Sequence, residues 1–305
     1  MVRRCRQPPM EGPLTRSQAL AAGWTPWQLR HGAIGRSVRD TYLPPGNPAD
    51  LLSRARSVLL TMPPSSLVSH ASAAVLWGIE LPMAALSAKV HVVARREERP
   101  RHRPDRVVHE SARLVANDAA ELSGLAITSP ARTWWDLATM LAPADLLAVT
   151  DQILRTWCSP QRLQEMLFRH IGERGAVRAR RALRHGDPRA ESRMESVTRW
   201  LLIEAGLPTP ELQYPIRDQN GYVVARLDLA YPRLRIAIEF DGAVHREADV
   251  FARDLRRQNM LVNAGWTILR FSGADVLRRP AGVVAQVGAA WDKAYLASLQ
   301  APPAA

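Results

Sequence analysis

The sequence has 305 residues, of which 47% are hydrophobic, and this length and composition are typical of a globular protein of about two domains. Its 41 basic and 29 acidic residues give a formal charge of +12, which favours polyanionic partners and above all nucleic acid. No stretch approaches the roughly 18 uninterrupted apolar residues of a spanning helix, and the basic N-terminus has no apolar segment behind it. We therefore expect a cytoplasmic protein with no membrane partner.

The positive charge comes almost entirely from arginine, since Lys89 and Lys293 are the only lysines. A biased genomic base composition can produce that excess without any phosphate-binding role. A structural interaction protein whose charge is only compositional therefore stays open as an alternative. Cys5 and Cys158 lie far apart, without the spacing of a zinc site or a disulfide framework.

Residues 12–46 predict two short helices joined by a tight turn and followed by an extended arm. Thr15 is suited to cap the first helix, Gly23 to end it, and Thr25 with the following proline to begin the second. This outline is that of a helix-turn-helix, and Arg30 and Arg36 add positive charge beside it. These two arginines are the candidate DNA-binding residues of this region, and a small helical cap is the alternative interpretation.

The middle region is predicted to mix helices, over 67–76 and 130–141, with strands over 90–93 and 107–110. The charged, proline-broken run 95–106 is predicted to be a solvated hairpin tip, with a loop that contacts nucleic acid as the alternative. The arginine-rich segment 169–190 predicts a basic helix followed by a linker. We expect the main domain boundary there.

The C-terminal region predicts the order helix, three strands, helix, strand. The helices cover 191–205 and 249–264, and the strands cover 212–217, 223–231, 235–241 and 266–271. Asn220 and Gly221 give a strong hairpin signal between the first two strands.

The third strand carries two acids on one face. Ile236, Ile238 and Phe240 alternate with Glu239 and Asp241, so the apolar side chains share one face of the sheet and the acids share the other. In the preceding strand, the same alternation predicts a common face for Leu227, Leu229 and Tyr231.

A turn centred on residues 232–234 sets Asp228 opposite either Ile238 or Glu239. Same-face partners have Cβ atoms about 5 Å apart, so we expect the carboxylates of Asp228 and Glu239 to meet. Two such carboxylates repel each other unless they share a cation or one binds a proton, and Mg²⁺ prefers one or two carboxylates. A divalent metal site is therefore one interpretation, and simple ion pairs with Arg226 and Arg235 are the other.

Further charged residues surround this pair. His245 could act as a general acid or base, or be an ordinary structural histidine. Arg257 shares a helical face with Asp254, so the two form a local ion pair or Arg257 reaches a phosphate. Glu195 could approach a metal from the first helix, or be an ordinary solvated glutamate.

The C-terminal region resembles the very-short-patch-repair (Vsr)-like endonuclease domains of the PD-(D/E)xK superfamily, and the likeness depends on Glu195 and residues 227–245, 254–261 and 265–271. It implies a restriction-endonuclease-like αβββαβ core and DNA cleavage that requires Mg²⁺ or Mn²⁺. It assigns metal binding to Asp228 and Glu239, with Glu195 as the helix acid and His245 as an auxiliary group. The superfamily places a lysine where this chain has Asp241, so His245 or Arg257 substitutes for it, or activity is altered or lost.

Residues 12–46 in turn resemble the N-terminal winged helix-turn-helix of AbiEi-type antitoxins, and residues 69–79 and 128–138 resemble the region C-terminal to that helix-turn-helix in the same proteins. This likeness implies DNA binding and a cognate toxin as partner. We therefore expect an α+β, multidomain protein with a winged helix-turn-helix at 1–50, a mixed α/β AbiEi-like region at 51–168, a basic helix or linker at 169–190 and a Vsr-like nuclease domain at 191–295.

These resemblances imply two alternative functions. The leading hypothesis is a DNA-binding protein that hydrolyses DNA phosphodiester bonds with metal held by Asp228 and Glu239. The alternative is an AbiEi-type antitoxin and transcriptional regulator whose nuclease fold is catalytically silent.

Overall fold

The computed structural model describes residues 8, 10–32, 34–44, 50–241 and 248–300, without the side chains of 241 and 248–254. The chain forms two compact units, one from residues 1–141 and 161–176 and the other from residues 142–160 and 177–305. Helices and β-sheet occur in both, so the expected α+β, multidomain class is confirmed. Within the described ranges, no helix is both long and apolar enough to cross a membrane.

In chain order, the first elements are β1 (Leu14–Thr15), α1 (Arg16–Ala21), α2 (Pro26–His31), β2 (Gly35–Arg36), β3 (Thr41–Leu43), α3 (Leu51–Leu59), β4 (Leu67–Val68), α4 (His70–Leu76), β5 (Val90–Arg95), β6 (Arg106–Ser111), β7 (Ala119–Leu122), β8 (Leu125–Thr128) and α5 (Pro130–Leu137). The later elements are α6 (Pro143–Thr156), α7 (Pro160–Arg169), α8 (Ala176–His185), α9 (Arg193–Glu204), β9 (Glu211–Arg217), β10 (Val223–Tyr231), β11 (Ile236–Asp241), α10 (Ala248–Asn263), β12 (Thr267–Ser272), α11 (Gly273–Arg278) and α12 (Pro280–Gln300).

The two helices predicted near the N-terminus are α1 and α2, and both begin with a reciprocal side-chain cap. The Gln18 N–H donates to Thr15 Oγ1 at 3.3 Å, and the Thr15 N–H donates to Gln18 Oε1 at 2.9 Å. Thr25 and Gln28 repeat this capping box at the start of α2. A three-stranded sheet in the order β1-β3-β2 accompanies the helices, and the small core consists of Ala19, Trp24, Leu29 and Tyr42.

The larger sheet of the first unit has the strand order β6-β5-β4-β8-β7. Its strands β5 and β6 pair in parallel, so the prediction of a hairpin tip at 95–106 is wrong. Parallel neighbours need a connection that returns to the starting end of the sheet, and this charged run is that connection. Leu67 and Val68, predicted as helical, form β4 between β5 and β8, and the helix begins only at His70.

The sheet of the second unit has the order β12-β11-β10-β9. Strands β9, β10 and β11 are antiparallel, whereas β11 and β12 are parallel. The predicted turns are both present, since Gly221 takes φ 83° between β9 and β10, and a short 3-10 turn over Pro232–Leu234 joins β10 to β11.

The two faces of this sheet pack in separate clusters. Ile236, Ile238 and Phe240 pack with residues of α9 and α12, as do Leu229 and Tyr231. Leu227 belongs instead to the cluster that contains Leu261 of α10, so the prediction that it shares a face with Leu229 and Tyr231 is wrong. The strand pairs beside it set Asp228 opposite Gln213, whose left-handed φ of 52° breaks the alternation of β9 at this point.

Helix α6 packs against α9 in the second unit. Arg199 of α9 donates to Asp151 of α6 at 2.6 Å, and both side chains are buried. From the sequence, residues 143–156 were expected in the middle region, because an amphipathic helix does not reveal which core it covers. The four-part division of the chain stays a prediction.

Candidate functional site

Strand pairing brings Asp228 and Glu239 together. Leu229 of β10 lies opposite Ile238 of β11, so Asp228 and Glu239 are the next residues outward along this register. Asp228 Oδ2 also accepts a hydrogen bond from the Phe240 N–H at 3.0 Å, which ties the side chain to the strand that carries Glu239. The sequence left two registers open, and the pairing of Leu229 with Ile238 excludes the one that sets Asp228 opposite Ile238.

Glu195, near the start of α9, completes an acidic cluster that we define as Glu195, Asp228 and Glu239. Glu195 is only 4% exposed, so the alternative of a solvated glutamate is wrong. Its Oε2 accepts hydrogen bonds from Gln213 Nε2 at 2.9 Å and from the Glu191 N–H at 3.0 Å. Both contacts fix a carboxylate close enough to influence Asp228 electrostatically.

Burial raises the pKa of Asp228 to about 6, and the negative charges of Glu195 and Glu239 act in the same direction. The hydrogen bond from Phe240 and the positive charge of Arg257 lower this pKa, but they only partly offset the increase. The carboxyl group of Asp228 therefore titrates close to neutral pH. Close to neutral pH, this group can therefore bind a proton or favour the binding of a cation.

Glu239 is buried and bound by two arginines. Arg257 of α10 donates to both of its carboxylate oxygens, at 2.7 and 2.9 Å, and Arg270 of β12 lies 3.3 Å from Oε2. The sequence spacing predicted Asp254 or a phosphate as the partner of Arg257, and it carried no signal for Arg270. The position of Arg270 opposite Glu239 comes from the parallel pairing of β11 and β12.

The predicted ion pairs with Arg226 and Arg235 are absent from the acidic cluster. Arg226 instead binds Glu191 at 2.9 Å, and Arg235 donates to the carbonyl oxygen of Ala264 at 3.0 Å. That interpretation is therefore wrong in its partners, because α10 and β12 supply the arginines that neutralise Glu239.

The structure describes three of the predicted residues only in part or not at all. The backbone of Asp241 ends β11, opposite Ser272 in the register, and its side chain is outside the described part of the chain. His245 falls outside the described residues, as does the side chain of Asp254. Their roles stay predictions.

The donor set of the acidic cluster fits a hard divalent cation. Mg²⁺ commonly takes one or two carboxylates and fills its other positions with water and substrate phosphate, and Asp228 and Glu239 supply that number. Among the described side chains, no group of three or more His, Cys, Asp or Glu is arranged to hold a metal ion. The raised pKa of Asp228 is the observation that favours a cation, whereas Arg257 and Arg270 compete for Glu239.

Arg30 and Arg36, the predicted DNA-binding residues of the N-terminal region, line one cavity of about 560 Å³. Arg16 and Arg39 line it too, and we call this cavity the arginine pocket. Arg30 Nε donates to the carbonyl oxygen of Pro26 at 3.2 Å, which anchors its side chain along α2. Four arginines and one acid, Asp40, line the cavity, so its lining carries an excess of positive charge that suits a phosphate group.

Comparison with known proteins supports the order of an AbiEi-like region followed by a nuclease-like region. Residues 67–185 match the family model of the AbiEi antitoxin C-terminal domain, and residues 210–290 match the restriction-endonuclease-like model REase_MTES_1575. Two uncharacterised proteins of Mycobacterium tuberculosis, Rv2248 of strain H37Rv and MT2308 of strain CDC 1551, are each 32% identical to this chain over 274 residues. The aligned region covers 88% of this chain and 97% of each relative. The chain therefore belongs to the family of Rv2248 and MT2308, and it combines an AbiEi antitoxin-like domain with a restriction-endonuclease-like domain.

Proposed function

We propose that this protein binds DNA and hydrolyses its phosphodiester bonds at the acidic cluster, with Mg²⁺ or Mn²⁺ held by Asp228 and Glu239. The observation that carries the proposal is the burial of Asp228 close to Glu195 and Glu239; burial raises the pKa of Asp228 to about 6, and the two neighbouring negative charges add to the increase. The match of residues 210–290 to a restriction-endonuclease-like model supports it. So does the element order from α9 to β12, which is the order of the proposed αβββαβ core.

The three carboxylates of the acidic cluster would have different roles. Asp228 and Glu239 would bind the cation. The negative charge of Glu195 beside Asp228 would favour binding of the cation there. A bound divalent ion would neutralise charge on the scissile phosphodiester and acidify the attacking water.

The arginines would take the place of the superfamily lysine. Arg257 and Arg270 hold Glu239 between them, so a phosphate that enters the cluster finds guanidinium groups already positioned. These groups would stabilise the negative charge that develops on the phosphodiester during hydrolysis. Because Asp241 stands at the lysine position, this substitution is a requirement of the proposal.

DNA binding is proposed for the N-terminal region, as a winged helix-turn-helix formed by α1, α2 and the β1-β3-β2 sheet. The arginine pocket would bind a backbone phosphate, with Arg30 and Arg36 as contacts. Binding of this kind weakens steeply with salt, because each neutralised phosphate releases counterions.

The decisive experiment incubates the full chain with intact, nicked and mismatched DNA in the presence of Mg²⁺ or Mn²⁺. We expect cleavage that EDTA abolishes and that Asp228→Asn lowers at least about 100-fold. Asp292→Asn, which changes an exposed acid of α12, is the matched control and should cleave like the unchanged protein. Full activity in Asp228→Asn would reject the acidic cluster as the catalytic site.

A catalytically silent antitoxin and regulator is the second candidate, and the two guanidinium groups on Glu239 favour it. Such a protein would retard its own promoter DNA without cleaving it, in the unchanged protein and in Asp228→Asn alike. Arg36→Gln should weaken this binding and reduce the salt slope by about one unit. Arg101→Gln, an exposed arginine outside the arginine pocket, should leave both unchanged.

A further inference from the structure

A second cavity, of about 630 Å³, lies in the first unit and is lined mainly by β6, α5 and the residues just after α7. Its volume is typical of small-molecule pockets. None of its lining residues belongs to the acidic cluster or to the arginine pocket. We call it the histidine cavity, because His70, His109 and His170 line it.

Two of the imidazole rings that line the histidine cavity form a group with a third, His91, which is not part of the lining. The rings of His70 and His109 stack with centroids 3.4 Å apart, and His91 Nδ1 lies 3.0 Å from His109 Nε2. Burial lowers the pKa of His70 and of His109 to about 3, so both rings are neutral at physiological pH. His70 also takes a left-handed φ of 50°, a conformation that is unfavourable for a non-glycine residue and is frequent at functional sites.

Two buried acceptor atoms line the same cavity without a hydrogen-bond partner. Asp136 Oδ1 accepts from Arg132 at 2.8 Å, whereas Asp136 Oδ2 has no hydrogen-bond donor and lies 3.8 Å from His70 Nδ1. His170 Nδ1 lies 3.0 Å from a carboxylate oxygen of Glu173 and must carry the proton, since a carboxylate only accepts. In the neutral ring Nε2 then carries the lone pair, and this atom has no hydrogen-bond partner either. Asp136 and His170 are 4% and 3% exposed, so any ligand that satisfies them must enter the cavity.

The chemistry of the lining favours a nitrogen-rich ring over a metal ion. The imidazoles stack and bond with one another, and the guanidinium of Arg132 already neutralises Asp136. The described side chains contain no group of three ligands arranged for a metal. At the edge of the cavity, Arg96 pairs with Glu110 at 3.6 Å and Arg113 pairs with Glu173 at 3.5 Å. The two arginine side chains are 70% and 72% exposed, so each can exchange this contact for an anionic group.

We propose that the histidine cavity binds a nucleotide, with N–H groups of the base donating to Asp136 Oδ2 and His170 Nε2 and the phosphate bound by Arg113. Flat bases stack well on imidazole and other aromatic rings. Guanine offers a ring N–H and an exocyclic amino group on one edge, so it supplies the two donors that two acceptors require. The ligand is a free mononucleotide or an unpaired base in a strand, and the chemistry of recognition is the same for both.

The test is calorimetric titration of the full chain with GMP, AMP, CMP and UMP, and with a short single-stranded oligonucleotide that contains one guanine. We expect GMP to bind most tightly and UMP most weakly. His170→Phe keeps an aromatic ring stacked on Trp135 but removes Nε2, and it should weaken GMP binding at least tenfold. Arg113→Gln should weaken it about threefold to tenfold at low salt, whereas the exposed control Arg101→Gln should bind like the unchanged protein.

Circular dichroism and thermal unfolding of His170→Phe and Arg113→Gln establish that each variant folds. Tighter binding of the oligonucleotide than of GMP would assign the cavity to an unpaired base, and the reverse would assign it to the free nucleotide. The proposal would be overturned if no probe bound. It would also be overturned if His170→Phe and Arg113→Gln both bound GMP as tightly as the unchanged protein. Tight binding of Zn²⁺ alone that needs His170 would overturn it in favour of a metal site. Asp228→Asn should bind GMP normally, which separates this site from the proposed nuclease.

Discussion

Arg257 holds both carboxylate oxygens of Glu239, at 2.7 and 2.9 Å, in a two-pronged contact between α10 and β11. Glu239 is almost fully buried, whereas the guanidinium keeps partial access to solvent. The contact therefore fixes a deeply buried acid of the candidate site and leaves a positive charge at its opening.

Replacing Arg257 should destabilise the fold and perturb the acidic cluster. We expect Arg257→Gln to lower the free energy of unfolding by about 2 kcal/mol, because it removes two charge-assisted hydrogen bonds while Arg270 still compensates Glu239. It should also raise the pKa of Asp228, since the charge of Arg257 lowers it. Urea denaturation and NMR titration of the Asp228 carboxyl carbon measure the two effects.

Arg233→Gln removes an exposed arginine in the turn before β11 and serves as the control. It should change neither quantity. If Arg257→Gln were as stable as the unchanged protein and Asp228 titrated as before, the contact would have no role in holding the cluster.

The pKa of Asp228 makes stability depend on pH in a defined direction. The folded protein holds this proton up to about pH 6, whereas the unfolded chain releases it near the ordinary value of 3.8. The contribution of Asp228 to stability is therefore fully present below pH 3.8 and is lost as pH rises through 6.

Asp228→Asn removes the charge and keeps an oxygen for the Phe240 N–H. At about pH 8 the variant should be more stable than the unchanged protein by up to about 3 kcal/mol, and the gain should vanish below about pH 4. Denaturant unfolding across this pH range measures it, with Asp292→Asn as the control. A gain that is equal at both ends of the range would contradict the assigned pKa.

The buried pair of Arg199 and Asp151 should be far more important to the second unit than its exposed pairs. Asp151→Asn leaves the guanidinium of Arg199 buried without its counter-charge, so we expect a loss of about 3 to 5 kcal/mol. Glu204→Gln, in the exposed pair with Arg181, should cost less than about 1 kcal/mol. Thermal and denaturant unfolding measure the stability of the two variants. Similar losses of stability in both would show that burial does not determine the cost of breaking each ion pair.

The alternation along β11 and the turn over Pro232–Leu234 were enough to predict the hairpin and to limit the position opposite Asp228 to Ile238 or Glu239, because strand periodicity and turn length are local properties. The position of Arg270 was beyond sequence reasoning, since it depends on which edge of β11 receives β12 and in which direction. The exchange of Leu227 to the other core was equally hidden, because it accompanies an irregular backbone at Gln213 on the neighbouring strand.

The same limit explains the errors in the first unit. The segment 95–106 has the composition of a turn between hairpin strands, yet β5 and β6 run in parallel, and strand direction is a non-local property. The histidine cavity had no sequence signal for a related reason. His70, His109 and His170 are far apart in the chain and meet only through the tertiary fold.

The placement of α6 restricts how a protein of this kind could have been assembled. The chain passes between its two units after residues 141, 160 and 176, so neither unit is one continuous segment. A gene fusion with one breakpoint inside residues 161–209 would deliver residues 210–290 without α6 and Asp151, and one breakpoint before residue 142 would also carry residues 161–176 of the first unit. Recombination that exchanges either half intact needs three coordinated junctions, so the two halves are expected to be inherited together.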